Sequence, residues 1–80
     1  MRIDKYLKNS RLIKRRTVAK EACEQDRVTV NGKIAKAGTD VCPGDIIGIR
    51  FGNKSITVKV VAVPENVRKE DSAGIYEIID

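Results

Sequence analysis

Apolar residues change their spacing once along this chain of 80 residues, near Asp26. Before that point Ile3, Tyr6 and Leu7 recur three and four residues apart, which is the period of one helix face. Asp4 offers a carboxylate to the positive end of the same turn. The spacing predicts a short helix over about 3–9, followed by a bend from Asn9 to Ile13 that carries Leu12 and Ile13 inward. A second helix is expected over about 15–25, with Val18, Ala19, Ala22 and Cys23 on its inner face. Those small side chains suit close approach to the first helix or to a sheet.

Beyond Asp26 the period becomes two. Val28 and Val30 alternate with Arg27 and Thr29, and Asn31-Gly32 is a tight-hairpin signal leading into a brief return at Ile34. Pro43-Gly44 fits the centre of a type II turn, with Pro fixing φ and Gly supplying φ > 0. Ile46, Ile47, Ile49 and Phe51 then read as a strand. Gly52-Asn53 turns it into a longer one carrying Ile56, Val58, Val60 and Val63. Residues 64–74 are polar and read as a loop, and Ile75 to Ile79 can add a closing strand. The expected fold class is α+β: two N-terminal helices packed on a small, mostly antiparallel sheet, as a single domain over residues 1–80.

Composition narrows the core and the chemistry. With only three aromatics (Tyr6, Phe51, Tyr76), packing rests on Val, Ile, Leu and Ala. No apolar run reaches the length of a membrane span, and no hydrophobic stretch follows the basic N-terminal residues, so a cytoplasmic protein without a membrane partner is expected. Cys23 and Cys42 are too few for a disulfide framework or a zinc site, and the chain has no His. They read as reduced thiols; neither a metal nor a cofactor is expected.

Charge changes the picture most. Residues 1–36 hold 11 basic and 4 acidic side chains, a net of +7, whereas residues 37–80 hold 5 and 7, a net of −2. Such segregation builds a local positive field suited to a polyanion. Lys14, Arg15 and Arg16 open the second helix, at the positive end of its macrodipole and without a Ser, Thr, Asp or Asn to cap it. Stability alone would not select that arrangement. A bound phosphate resolves it, by accepting the free amide hydrogens and neutralising the side chains. Arg grips a phosphate with two parallel hydrogen bonds whereas Lys is a mobile point charge, so Arg2, Arg15 and Arg16 rank above Lys5, Lys8, Lys14 and Lys20. Asp4, a carboxylate among cations, either orients one of the guanidinium groups or caps the first helix. Interleaved aromatics are missing, so recognition of a folded RNA by backbone and shape fits better than a row of stacked bases.

Several spaced segments together resemble the S4 RNA-binding domain: Arg2-Ile3-Asp4-Lys5-Tyr6-Leu7, Arg16-Thr17-Val18-Ala19, Val28-Thr29-Val30-Asn31-Gly32, and Val41 with Gly44-Asp45. The resemblance covers a motif core of about residues 1–50, leaving 51–80 as a C-terminal β portion. It implies the family's αL-like fold and an RNA-binding surface of Arg2, Lys5, Lys8, Arg11, Lys14, Arg15, Arg16, Thr17 and Lys20. Two positions depart from the family pattern. Arg15 stands where Ser or Thr is common, and Asp26 where Gly usually closes the second helix, a place that Asp tolerates at modest cost.

The run from Ser10 to Thr17, with Phe51-Gly52, is most similar to short stand-alone members of the family. For these the resemblance implies ribosome-associated quality control: binding of large-subunit rRNA and peptidyl-tRNA on an obstructed large ribosomal subunit, as a monomer. A partner factor there adds an alanine tail to the stalled chain. The alternative is a role like that of heat-shock protein 15, which acts on large subunits with a trapped nascent chain and carries a basic extension; the acidic end at Asp80 favours the tailing role. An enzyme is not expected, because 80 residues leave no room for a catalytic domain beside an S4 domain. A DNA-binding helix pair is opposed by the strand-rich second half.

Overall fold

The computed structural model describes residues 1–80. In chain order they form α1 (Ile3–Asn9), α2 (Arg16–Glu24), β1 (Val28–Val30), β2 (Lys33–Ile34), β3 (Ile46–Phe51), β4 (Lys54–Val60), a 3₁₀ helix (Lys69–Ile75) and β5 (Tyr76–Ile78). Both α-helices lie where the three-and-four spacing put them.

Their ends follow from local chemistry. At the end of α1 the Ser10 hydroxyl donates to the Leu7 carbonyl at 3.1 Å, and Arg11 takes φ 61°. That left-handed step swings the chain back and drops Ile13 into the core. At the end of α2 the Asp26 amide donates to the Cys23 carbonyl (3.1 Å) and the Arg27 amide to the Ala22 carbonyl (3.0 Å). This is a Schellman closure, and Asp26 accordingly sits at φ 58°, where Gly would be easier.

The five strands form one sheet in the order β2-β1-β3-β4-β5, with every neighbouring pair antiparallel. Asn31 and Gly32 both have positive φ (53° and 84°), as a two-residue hairpin between β1 and β2 requires. Register places Val28, Ile49 and Ile56 side by side, and Val30, Ile47, Val58 and Ile78 in the next row. One face of the sheet is therefore apolar. Ile3, Tyr6 and Leu7 of α1 and Ala19 and Cys23 of α2 join that face in one core. The Tyr6 hydroxyl donates to the Ile75 carbonyl at 2.7 Å, and burial pushes the phenol well above its ordinary pKa. Asp45 ties the turns together: its carboxylate accepts the Cys42 amide (2.8 Å) and the Asn31 side-chain amide (3.2 Å).

Three expectations need correction. Val18 belongs to α2 but is 47% exposed, so only Ala19 and Cys23 of the expected inner face are buried and Ala22 is half-buried. Strand β4 stops at Val60, before Val63, because the next two amides, of Val61 and Ala62, both donate to the Ile75 carbonyl (2.9 and 3.2 Å). The chain is pulled off the sheet there. Within 64–74, read as a loop, lies most of the 3₁₀ helix; its Ser72 hydroxyl donates to the Lys69 carbonyl at 2.8 Å and is buried.

Candidate nucleic-acid interface

The segment before α1 is fixed from outside. The Ile3 amide donates to the Thr39 carbonyl, and the Val41 amide to the Met1 carbonyl, each at 2.8 Å. Arg2 is thereby held extended, bridged to Asp40, at the entrance to α1. Across from it α2 begins at Arg16, and the exposed Arg15 occupies the cap position with no side-chain hydrogen bond. The amides of Arg16, Thr17 and Val18 have no backbone acceptor. Sequence reading anticipated both the uncapped start and the cations placed on it.

Asp4 joins the two helices at this point. Its carboxylate receives two hydrogen bonds from the Arg2 guanidinium, from Nε and Nη2, each at 3.2 Å. It also pairs with Nε of Arg16 at 3.4 Å and accepts the Lys5 amide at 2.8 Å. Asp4 thus holds guanidinium groups, two of them rather than the one expected; it does not cap α1, whose cap position is Arg2, but sits inside the first turn and accepts the Lys5 amide there. The Asp4 side chain is only 3% exposed, while those of Arg2 and Arg16 are 51% and 49% exposed. One buried carboxylate therefore aligns two half-exposed cations. They keep a net positive charge and N–H groups directed at solvent, the arrangement needed to grip a phosphate.

Arg2, Asp4, Arg16, Thr17 and Lys20 line one shallow groove of about 280 Å³ with no hydrophobic wall. The structure brings these together and leaves the other candidates outside. Lys5 reaches across to Glu65 instead, with Nζ and Oε2 2.6 Å apart, and the Lys5 ammonium holds the Glu65 carboxyl below its usual range. Lys8 borders a separate cleft with Asn9, Asn66 and Arg68. Arg11, Lys14 and Arg15 are exposed around the bend and the start of α2. What sequence reading missed is the support: the Thr39–Val41 segment that holds Arg2, and the Glu65 partner of Lys5. Neither leaves a local signal, because both contacts join residues far apart in the chain.

A family model described as the S4 domain matches residues 1–47, which contain both helices and the groove. The chain belongs to the S4 domain family. Over 78 residues it is 62% identical to the RQC P-site tRNA stabilizing factor of Halalkalibacterium halodurans, covering 98% of this chain and 89% of that relative. It is 32% identical over 75 residues to the heat shock protein 15 homolog of Haemophilus influenzae, covering 94% of this chain but 57% of that relative. The solved trimeric structure of Vibrio cholerae heat shock protein 15 matches this S4 domain with a TM-score of 0.91 at 28% identity, over 99% of this chain and 81% of that one.

Proposed function

We propose that this S4 domain is a non-catalytic RNA-binding factor of the cytoplasm. It grips rRNA and tRNA on obstructed large ribosomal subunits that carry peptidyl-tRNA, and supports alanine tailing of the stalled nascent chain by a partner factor. The observation that carries the binding role is the buried Asp4 between Arg2 and Arg16 at an uncapped helix start. A phosphate in that groove would meet two guanidinium groups, the Lys20 ammonium and the free amides of α2. Identity of 62% to a P-site tRNA stabilizing factor supports tRNA on the ribosome as the setting. Lys5, Lys8, Arg11, Lys14 and Arg15 extend the contact as outlying cations, Lys5 after release from Glu65.

The second reading, a factor like heat shock protein 15 that recycles large subunits, is favoured by the TM-score of 0.91 to the Vibrio protein. Sequence identity weighs the other way, 62% against 28%. The test is to isolate the tagged protein from cells and follow what migrates with it. Free large subunits bearing tRNA together with an alanine-tailing factor are expected. Subunits without that factor would favour the recycling role, and co-migration with intact ribosomes only, or with none, would contradict both. This reading also takes the chain to act as a monomer, unlike the trimeric Vibrio structure; sedimentation of the pure protein should give the mass of one chain.

A further inference from the structure

Val18 and Phe51 are 47% and 44% exposed, although each lies in a stretch whose apolar pattern should bury it. They line a groove of about 300 Å³, together with Leu12 and Ala22. Val18 stands two residues after Arg16, about 200° further around α2, so this groove runs along the opposite flank of the helix from the Arg2–Arg16 groove. Its polar rim is made of Glu21 from α2, Gln25 and Arg27 just after it, and Arg50 near the end of β3. All four are exposed, and none takes part in an ion pair within the chain.

We infer that this second groove takes a single unstacked nucleobase of the bound RNA; the inference rests on the RNA-binding reading above and deepens it. An aromatic face beside guanidinium groups is the surface on which splayed-out bases stack. A nucleotide would also bring phosphates for Arg27 and Arg50. Glu21 is the telling residue. A carboxylate is repelled by phosphate, and Glu21, unlike Asp4, has no cation paired to it within the chain, so it is free to face N–H donors of a base. Guanine presents two adjacent donor groups, the ring N1–H and the exocyclic amine, and is therefore the preferred occupant. An apolar peptide segment would bring no charge for either arginine. Because Arg16 and Val18 share one helix, a strand gripped at the start of α2 can place a neighbouring base on its other flank. Only one base is accommodated, since Tyr6 is fully buried and Tyr76 half-buried in the core and neither extends a stacking row.

The test uses RNA hairpins that differ at one position of the stem: a bulged guanosine, a bulged uridine, a bulged abasic nucleotide, or no bulge. Parent protein should prefer the bulged guanosine. Phe51→Ala should lower that affinity roughly 5- to 150-fold, the range for losing one base–aromatic stack. It should cost nothing further on the abasic RNA and nothing on the unbulged one, and the slope of log affinity against log salt should not change. Phe51→Leu, which keeps apolar packing, guards against a folding defect and should show the same selectivity. Arg16→Ala should weaken all four RNAs alike. If it does so while the Phe51 variants bind every RNA as the parent does, the base pocket is refuted and the phosphate grip stands. Equal losses on all four RNAs from Phe51→Leu would also refute it. No binding of the parent to any hairpin would sink the RNA reading and the inference together. Normal RNA binding with lost co-migration with large subunits would assign the groove to a protein contact and overturn the proposal.

Discussion

Asp4 is the residue on which the proposed interface turns. It is buried, negative, and surrounded by donors, so its carboxylate is satisfied while Arg2 and Arg16 keep their outer N–H groups. Replacing Arg16 by Ala should weaken binding to large subunits by about 1–3 kcal/mol, the value of one charge-assisted contact. Its melting temperature should stay nearly unchanged. A half-exposed ion pair contributes about 0–1 kcal/mol, and removing a cation from the positive end of α2 offsets that loss. Calorimetry and a binding titration on one preparation check both. Asp4 was half legible in the sequence: a carboxylate among cations asks for a reason, but its simultaneous hold on two arginines depends on how α1 meets α2. Tyr6 was legible as core, whereas its bond to Ile75 was not, because 69 residues separate the two. The raised phenol pKa has a definite sign. A group whose pKa is higher folded than unfolded contributes its stability below the unfolded value, near pH 10, and loses it as pH rises further. Parent protein should therefore lose stability above about pH 10 more steeply than Tyr6→Phe does. That variant should cost about 0.5–1.5 kcal/mol at neutral pH, since the Ile75 carbonyl keeps its two backbone donors. The cysteines should differ as well. Cys23 is buried, with its thiol pushed up by burial and by the nearby Asp4 and Glu24 carboxylates, whereas Cys42 is exposed. Brief alkylation of the native protein followed by mass spectrometry should find the label on Cys42.

Among the elements, α2 has a poor start and a strained end, and the two have different origins. The uncapped start exposes amides that RNA can use, while the strain at Asp26 serves only to end the helix. Asp26→Gly should therefore stabilise the domain by about 0.5–1 kcal/mol, because Gly takes the left-handed region freely. The ion pair with Lys36 that it removes is exposed and 3.7 Å long, and contributes little. RNA binding should not weaken, and chemical denaturation with a parallel titration checks both. Helix α2, the hairpin at Asn31-Gly32 and strand β3 were readable because local spacing and turn chemistry specify them. The 3₁₀ helix was not. Its residues, KEDSAGI, carry no apolar period, and it is held by Ile75, which is buried against the core and whose carbonyl gathers donors from Tyr6, Val61 and Ala62. The same carbonyl ends β4 early, so one tertiary contact accounts for both departures from the expected element pattern. Val18 was misplaced for a related reason: helical period identifies a face, but the partner element decides how wide a face is covered.

At the scale of the whole molecule, the sheet holds two helices so that Arg2, at the entrance to α1, and Arg16, at the start of α2, converge from separate stretches of chain. Segregation of charge was visible in the sequence and gave the class of partner; which cations share one groove was decided by packing. Salt dependence tests most directly whether this groove grips RNA phosphates. Affinity for large subunits bearing peptidyl-tRNA should be measured across a salt series, for the parent and for Arg16→Ala. With roughly six phosphates contacted, log affinity should fall against log salt with a slope of about −4 to −5, and loss of Arg16 should make it shallower by about one. A slope near zero, or an Arg16→Ala line that coincides with the parent's, would contradict the account.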